Sequence, residues 1–200
     1  MMGPLITAFF LLLFSGTTVL GQKPQSAPKP GKQCDSLVYK DVVRSKPTPL
    51  FTNKAYFNGR LVYQYDSNSQ KAVPEPGWEN VEDWNQESQL QKQRGDFAAE
   101  NLEEIMAYYK DVSGSHVLTG TYGCELCKNG ATNGFWRCEY DERPFIEFDK
   151  GIPAWIPKQP AAEMIKAKWE ADGAVYRAKE YLEKTCIERL KQYQDYKKAN

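Results

Sequence analysis

The stretch KWEADGAVYRAKEYLEKTCIERLKQY, residues 168–193, decides the fold. Trp169, Val175, Tyr176, Ala178, Tyr181, Leu182, Cys186, Leu190 and Tyr193 recur at helical spacing, with Lys, Arg and Glu between them. That pattern predicts one long helix with a single buried face. Cys186 lies on that face. A thiol on the inner side of a helix in a secreted chain usually bonds to the layer beneath, and Cys124 sits in a β-patterned segment far upstream. The expectation is a helix stapled to a sheet.

Working outward, residues 1–21 hold no charged side chain, contain the run FFLLLF and close on small residues. They read as a signal peptide cleaved before Gln22. The apolar run is too short to span a bilayer comfortably, and the polar end YKKAN offers no tail for a lipid anchor. A secreted, extracellular protein without a membrane anchor is expected. Residues 22–33, with Pro24, Pro28 and Pro30, read as an extended, poorly ordered leader, and the folded domain is placed at 34–200. Roughly 180 residues remain after the signal, enough for one domain with a full core. The 26 basic and 26 acidic residues balance, which argues against nucleic acid or an acidic membrane as the main partner.

Within the domain, strands are expected at 36–44, 51–57 and 60–65, with a short edge strand before Pro74; Asn58-Gly59 is a hairpin signal. Residues 80–109 then turn helical, with Trp84, Leu90, Phe97, Leu102, Ile105, Met106 and Tyr109 as the apolar set. The second half repeats this plan: strands at 117–126, 134–140, 145–148 and 152–156, then helix from 161 to the end. Two units of several strands and a long helix, about 34–113 and 114–200, predict an α+β platform in which one antiparallel sheet carries two helices on one face. A groove lies between the helices.

The residues themselves resemble a known family. GSHVLTGTYGCEL from Gly114, FIEFDKGIPAWIP from Phe145, EDWNQESQLQKQR from Glu82 and KAKWEADGAVYRAKEYLE from Lys166 are similar to the α1 and α2 platform of class I MHC proteins, in order and over nearly the whole domain. The resemblance implies an eight-stranded floor, two groove helices and a disulfide between Cys124 and Cys186. It also sets the first strands of the two halves side by side at the sheet centre. Carrying that register over puts Tyr39 near Tyr122 and Cys34 near Cys127, which predicts a second bridge, Cys34 to Cys127; two free thiols are the alternative. Of the five cysteines, Cys138 is then left over, pointing into the groove.

By matching motifs, the groove is expected to be walled by Leu90, Arg94, Phe97 and Tyr108 from the first helix and Trp169, Arg177 and Tyr181 from the second, over a floor including Tyr39, Tyr122, Trp136 and Cys138. An arginine in such a cleft suits the carboxylate of a small amphipathic, fatty-acid-like ligand. Alternatively, Arg94 and Arg177 pair with glutamates on the helices or face solvent, and the aromatics fill a closed core. Peptide-presenting members hold the peptide's amino end with four tyrosines. Three match here as Tyr39, Tyr181 and Tyr193, and the fourth falls on Asp83. At the carboxylate end Tyr108, Lys168 and Trp169 match, but an expected threonine is Ile165. Half a clamp argues against peptide presentation.

No catalytic set emerges. His116 is the single histidine, in a turn-to-strand position the family keeps as structural. Cys124 and Cys127 spell C-x-x-C without the helix start of a redox motif or the second pair of a zinc ribbon. No metal, no cofactor and no enzymatic activity are expected. Members usually continue into an immunoglobulin-like domain and often bind beta-2-microglobulin, whereas this sequence ends at Asn200, so a platform standing alone, not requiring beta-2-microglobulin, is the expectation. Its role is then a groove for a small hydrophobic or amphipathic ligand, with immune or lipid-metabolic signalling implied by the resemblance. The alternatives are a soluble ligand or decoy for a cell-surface receptor of immune cells through the helix faces, or a truncated product without activity.

Overall fold

The computed structural model describes residues 34–46 and 50–200; the expected signal peptide, the leader and residues 47–49 lie outside the described residues. Eight strands form one antiparallel sheet: β1 (Cys34–Arg44), β2 (Leu50–Phe57), β3 (Arg60–Asp66), β4 (Lys71–Pro74), β5 (Val117–Cys127), β6 (Thr132–Tyr140), β7 (Arg143–Asp149) and β8 (Ala154–Pro157), in the order β4-β3-β2-β1-β5-β6-β7-β8. The two halves meet at β1 and β5, where Tyr39 faces Tyr122 and Cys34 faces Cys127. Strand alternation explains the layering. Leu37, Tyr39, Asp41 and Val43 of β1 are buried on the face beneath the helices, while Lys40 and Arg44, on the other face, are exposed. Asn58 and Gly59 both take positive φ, 52° and 77°, as a two-residue hairpin between β2 and β3 requires.

Helix α1 (Trp84–Tyr108) starts four residues later than the periodicity suggests, because Asp83 caps it. Its carboxylate accepts from the backbone N–H of Asn85 and Gln86, both at 3.0 Å. Gly95 lets this helix sit against β2: a Cβ there would lie 2.8 Å from Phe51.

The second helix is not continuous. It divides into α2 (Pro160–Ala171), α3 (Ala174–Glu180) and α4 (Cys186–Ala199), with a π-turn over Tyr181–Thr185. Gly173, at φ 75°, makes the first break, where a left-handed residue ends α2 and re-aims the chain. At the π-turn Leu182 packs so closely over β6 that a Cβ on Gly134 would lie 2.9 Å from it. Two disulfides tie this assembly, Cys124–Cys186 from β5 to α4 and Cys34–Cys127 across the central strands, and Cys138 is a buried free thiol. No helix among the described residues is long and apolar enough to cross a membrane.

Candidate functional site

Between the helices the cleft holds two adjoining chambers. The central one encloses about 460 Å³, floored by Val43, Leu118, Gly120, Trp136 and Cys138 and walled by Phe97, Trp155, Trp169 and Ala178. The second, about 490 Å³, is more polar, lined by Tyr39, Gln91, Tyr122, Glu188, Arg189 and Gln192. Leu90, Arg94 and Tyr181 border both and form the partition.

Arg94 sets the electrostatics of that partition. Its guanidinium lies 4.4 Å from the Tyr122 ring centroid and 5.5 Å from that of Trp136, and it pairs with Asp41 on the floor. Asp41 in turn accepts from Asn53 Nδ2 at 2.6 Å. Burial opposes the Arg94 charge, but the adjacent Asp41 carboxylate outweighs it and holds the guanidinium protonated. Its Nε is buried without a hydrogen-bond partner among the described residues, as is Nε1 of Trp155. Arg177, by contrast, sits exposed at the rim. It donates to the Asp172 carbonyl, and no carboxylate among the described residues lies within ion-pair distance.

The aromatic wall of the central chamber is continuous. Trp155 contacts Trp169 with ring centroids 4.8 Å apart and Trp136 at 5.8 Å, and Trp169 lies 6.0 Å from Phe97. Trp169 Nε1 donates to Asn101 Oδ1 at 3.3 Å, joining α2 to α1. Burial pushes the Cys138 thiol up to about 12, so it is an inert wall group, not a nucleophile.

Each end of the cleft is closed by charge. At one end Arg189 of α4 reaches Glu82 at 2.8 Å and Glu87 at 2.5 Å. Burial pushes the Glu87 carboxyl up, but the Arg189 guanidinium and hydrogen bonds from Tyr63 and Gln91 leave it below its ordinary range. At the other end Lys168 of α2 meets Glu100 and Glu104 of α1, both at 2.8 Å.

The profile of class I histocompatibility antigens, domains alpha 1 and 2, matches residues 36–200. This chain belongs to the class I histocompatibility family. Among its relatives, zinc-alpha-2-glycoprotein of Mus musculus is 47% identical over 78% of this chain and 52% of its own length. The Homo sapiens protein of that name is 39% identical over 94% of this chain and 64% of its own. The F10 alpha chain, a class I histocompatibility antigen of Gallus gallus, is 33% identical over 76% of this chain and 45% of its own. The chain thus spans about half to two thirds of the length of the zinc-alpha-2-glycoproteins it matches.

Against the family's groove, Leu90, Arg94, Phe97, Trp136, Trp169, Arg177 and Tyr181 all border the central chamber, and Tyr39 lines the polar one. Tyr108 borders neither. As the last residue of α1 it is 47% exposed, with its ring edge against Tyr109. Arg94 follows neither expected course: its carboxylate partner is on the sheet, not on a helix. Of the residues matching the peptide-clamp positions, Tyr193 is fully buried, packed on Trp78, and Lys168 is taken up by its two glutamates.

Asp41, Glu82, Glu87, Trp155 and Arg189 escaped the sequence reading. Asp41 carried a signal: a charged residue two positions after Tyr39, on the inward register of a central strand. His116, outside the cleft, bridges Asp141 at 2.7 Å and Asp111 at 3.1 Å and stacks on Tyr140, which makes it a tie between turns.

Proposed function

We propose that this chain is a secreted, non-enzymatic class I-like protein, similar to zinc-alpha-2-glycoprotein, whose central chamber holds a small amphipathic, fatty-acid-like ligand. The observation that carries this reading is an open chamber of about 460 Å³ with an aromatic wall and, at its rim, a cation with no carboxylate partner among the described residues, Arg177. Its volume suits small-molecule sites, which run from roughly 300 to 1,000 Å³. An alkyl tail gains about 0.8 kcal/mol per methylene buried there. The carboxylate stays at the rim beside Arg177, because Arg94 is already paired with Asp41. Both ends of the cleft are filled by the chain's own charges, which disfavours a peptide. Secretion is supported by the apolar run at 9–14 and by two disulfides, which persist in oxidising compartments. Beta-2-microglobulin is not needed to complete the core between sheet and helices.

The test is titration of the protein with a long-chain fatty acid, followed by tryptophan fluorescence, since Trp136, Trp155 and Trp169 line the chamber. Saturable quenching is expected, and Arg177→Ala should weaken binding by up to about fivefold, as suits an ion pair open to water. Absence of saturation overturns the ligand reading. The second reading, recognition of the helix faces by a cell-surface receptor, draws on Tyr176, a 69% exposed aromatic next to the Gly173 break. There, Tyr176→Ala should abolish binding to receptor-bearing immune cells.

A further inference from the structure

We propose that Arg189 is a built-in ligand: from within the chain, its guanidinium occupies a cation site formed by Glu82, Glu87 and Tyr39, and so closes that end of the cleft to ammonium-bearing molecules.

The cradle has supports of its own besides Arg189. Glu87 is only 2% exposed and is held by Tyr63, whose hydroxyl donates to Oε1 at 2.5 Å, and by Gln91, whose Nε2 donates to the same oxygen at 2.9 Å. Glu82 comes from the segment before α1 and is 12% exposed. The guanidinium enters from the opposite helix: Nε faces Glu82, Nη2 faces Glu87, and Nη1 donates to the Tyr39 hydroxyl at 3.4 Å, with the Tyr39 ring centroid 6.0 Å away. Two carboxylates therefore surround one cation. Both are largely buried, unlike the two water-exposed carboxylates that Lys168 meets at the other end.

A separate observation points to a site. Gln91 is 1% exposed, and its Oε1 is buried without a hydrogen-bond partner among the described residues, an acceptor left over on a side chain whose Nε2 is bound to Glu87. Gln91 and Arg189 both line the polar chamber. Cutting the Arg189 side chain back to Cβ would open the cradle onto that chamber, leaving two carboxylates without their cation in a space that Gln91 also lines. The chemistry they select is a guanidinium or ammonium group, planar and forked for preference. This stands independently of any ligand in the central chamber.

The experiment is thermal unfolding of Arg189→Ala, non-reduced and without fatty acid, with added millimolar methylguanidinium chloride against equal sodium chloride. The variant should melt roughly 10 °C below the wild type. Methylguanidinium, and not sodium, should raise its Tm saturably, because only binding to the folded state does so, while the wild-type Tm stays fixed. Equal effects of the two salts on the variant, or a matching rise in the wild type, overturn the proposal. If Arg189→Ala does not fold in plain buffer, the readout becomes recovery of soluble monomer on refolding, which methylguanidinium must increase. Arg189→Lys, which keeps the charge but not the fork, should lose less Tm than Ala and respond little to methylguanidinium; a Lys variant as unstable as Ala overturns the assignment of a cation site.

Discussion

At the Arg189 end of the cleft one cation meets two carboxylates that are 12% and 2% exposed; at the Lys168 end one cation meets two that are 60% and 35% exposed. The stoichiometry is the same and the physics is opposite. Buried ions that lose a partner are left uncompensated in a medium that solvates them poorly, whereas exposed ions are taken over by water. The buried end also carries Cys186, one turn before Arg189 on α4, and the contact from Gln194 to Asp35 beside the Cys34–Cys127 bridge. The cleft is thus fixed at one end and only pinned at the other, so that any adjustment of width belongs to α2 and the C-terminal half of α1.

The strongest way to break this contrast is to cut the covalent tie. Cys124→Ser with Cys186→Ser removes a bridge spanning 62 residues, a loss of about 4 kcal/mol in the chain-entropy picture. Denaturant unfolding should show the midpoint falling by a large part of the domain's stability. Native-state hydrogen exchange should place the new opening in α4, not α2.

Next in size is the buried carboxylate. Glu87→Gln keeps an acceptor for Tyr63 but removes the charge facing Arg189, at a cost of about 2 kcal/mol. The matching change at the other end, Glu104→Gln, should cost less than about 1 kcal/mol. Equal losses would erase the distinction between the ends.

The sheet and its two-helix layer were legible because strand alternation and helical spacing report burial directly. Val43, Phe51 and Tyr63 point inward as their alternation says. The cleft was half legible. In α1 the apolar set includes Leu90 and Phe97, yet these are 43% and 45% exposed along the open cleft, while the buried positions of the first turns are Glu87 and Gln91. Hydropathy marks both as misplaced, because what makes Glu87 tolerable inside is an arginine 102 residues later. Local pattern cannot show such a partner. The break at Gly173 was hidden because an isolated glycine in a helical run is ordinary, and nothing in the local pattern marks this one for the left-handed backbone it takes.

A smaller effect comes from His116, near the pinned end. Its hydrogen bond to Asp141 raises its pKa, against some opposing burial, and Asp111 adds to the rise. The folded value lies above the unfolded one of about 6.5, so the stabilisation is complete below that pH and is lost as pH rises through the folded value. Each partly exposed pair should contribute below about 1 kcal/mol. Melting curves from pH 5.5 upward should show a modest decline that His116→Ala abolishes; an unchanged slope in the variant would assign the decline elsewhere.

The smallest expected change tests the pinned end most directly. Lys168→Ala removes the ammonium that crosses from α2 to Glu100 and Glu104, but both carboxylates are open to water, and Trp169 still donates to Asn101. Stability should fall by at most about 1 kcal/mol, or roughly 2–4 °C in Tm, and the difference should shrink further in high salt, where exposed pairs are screened. A loss as large as that of Glu87→Gln would mean that Lys168 holds the two helices together. The cleft would then be fixed at both ends, and its width would no longer be free to follow a ligand.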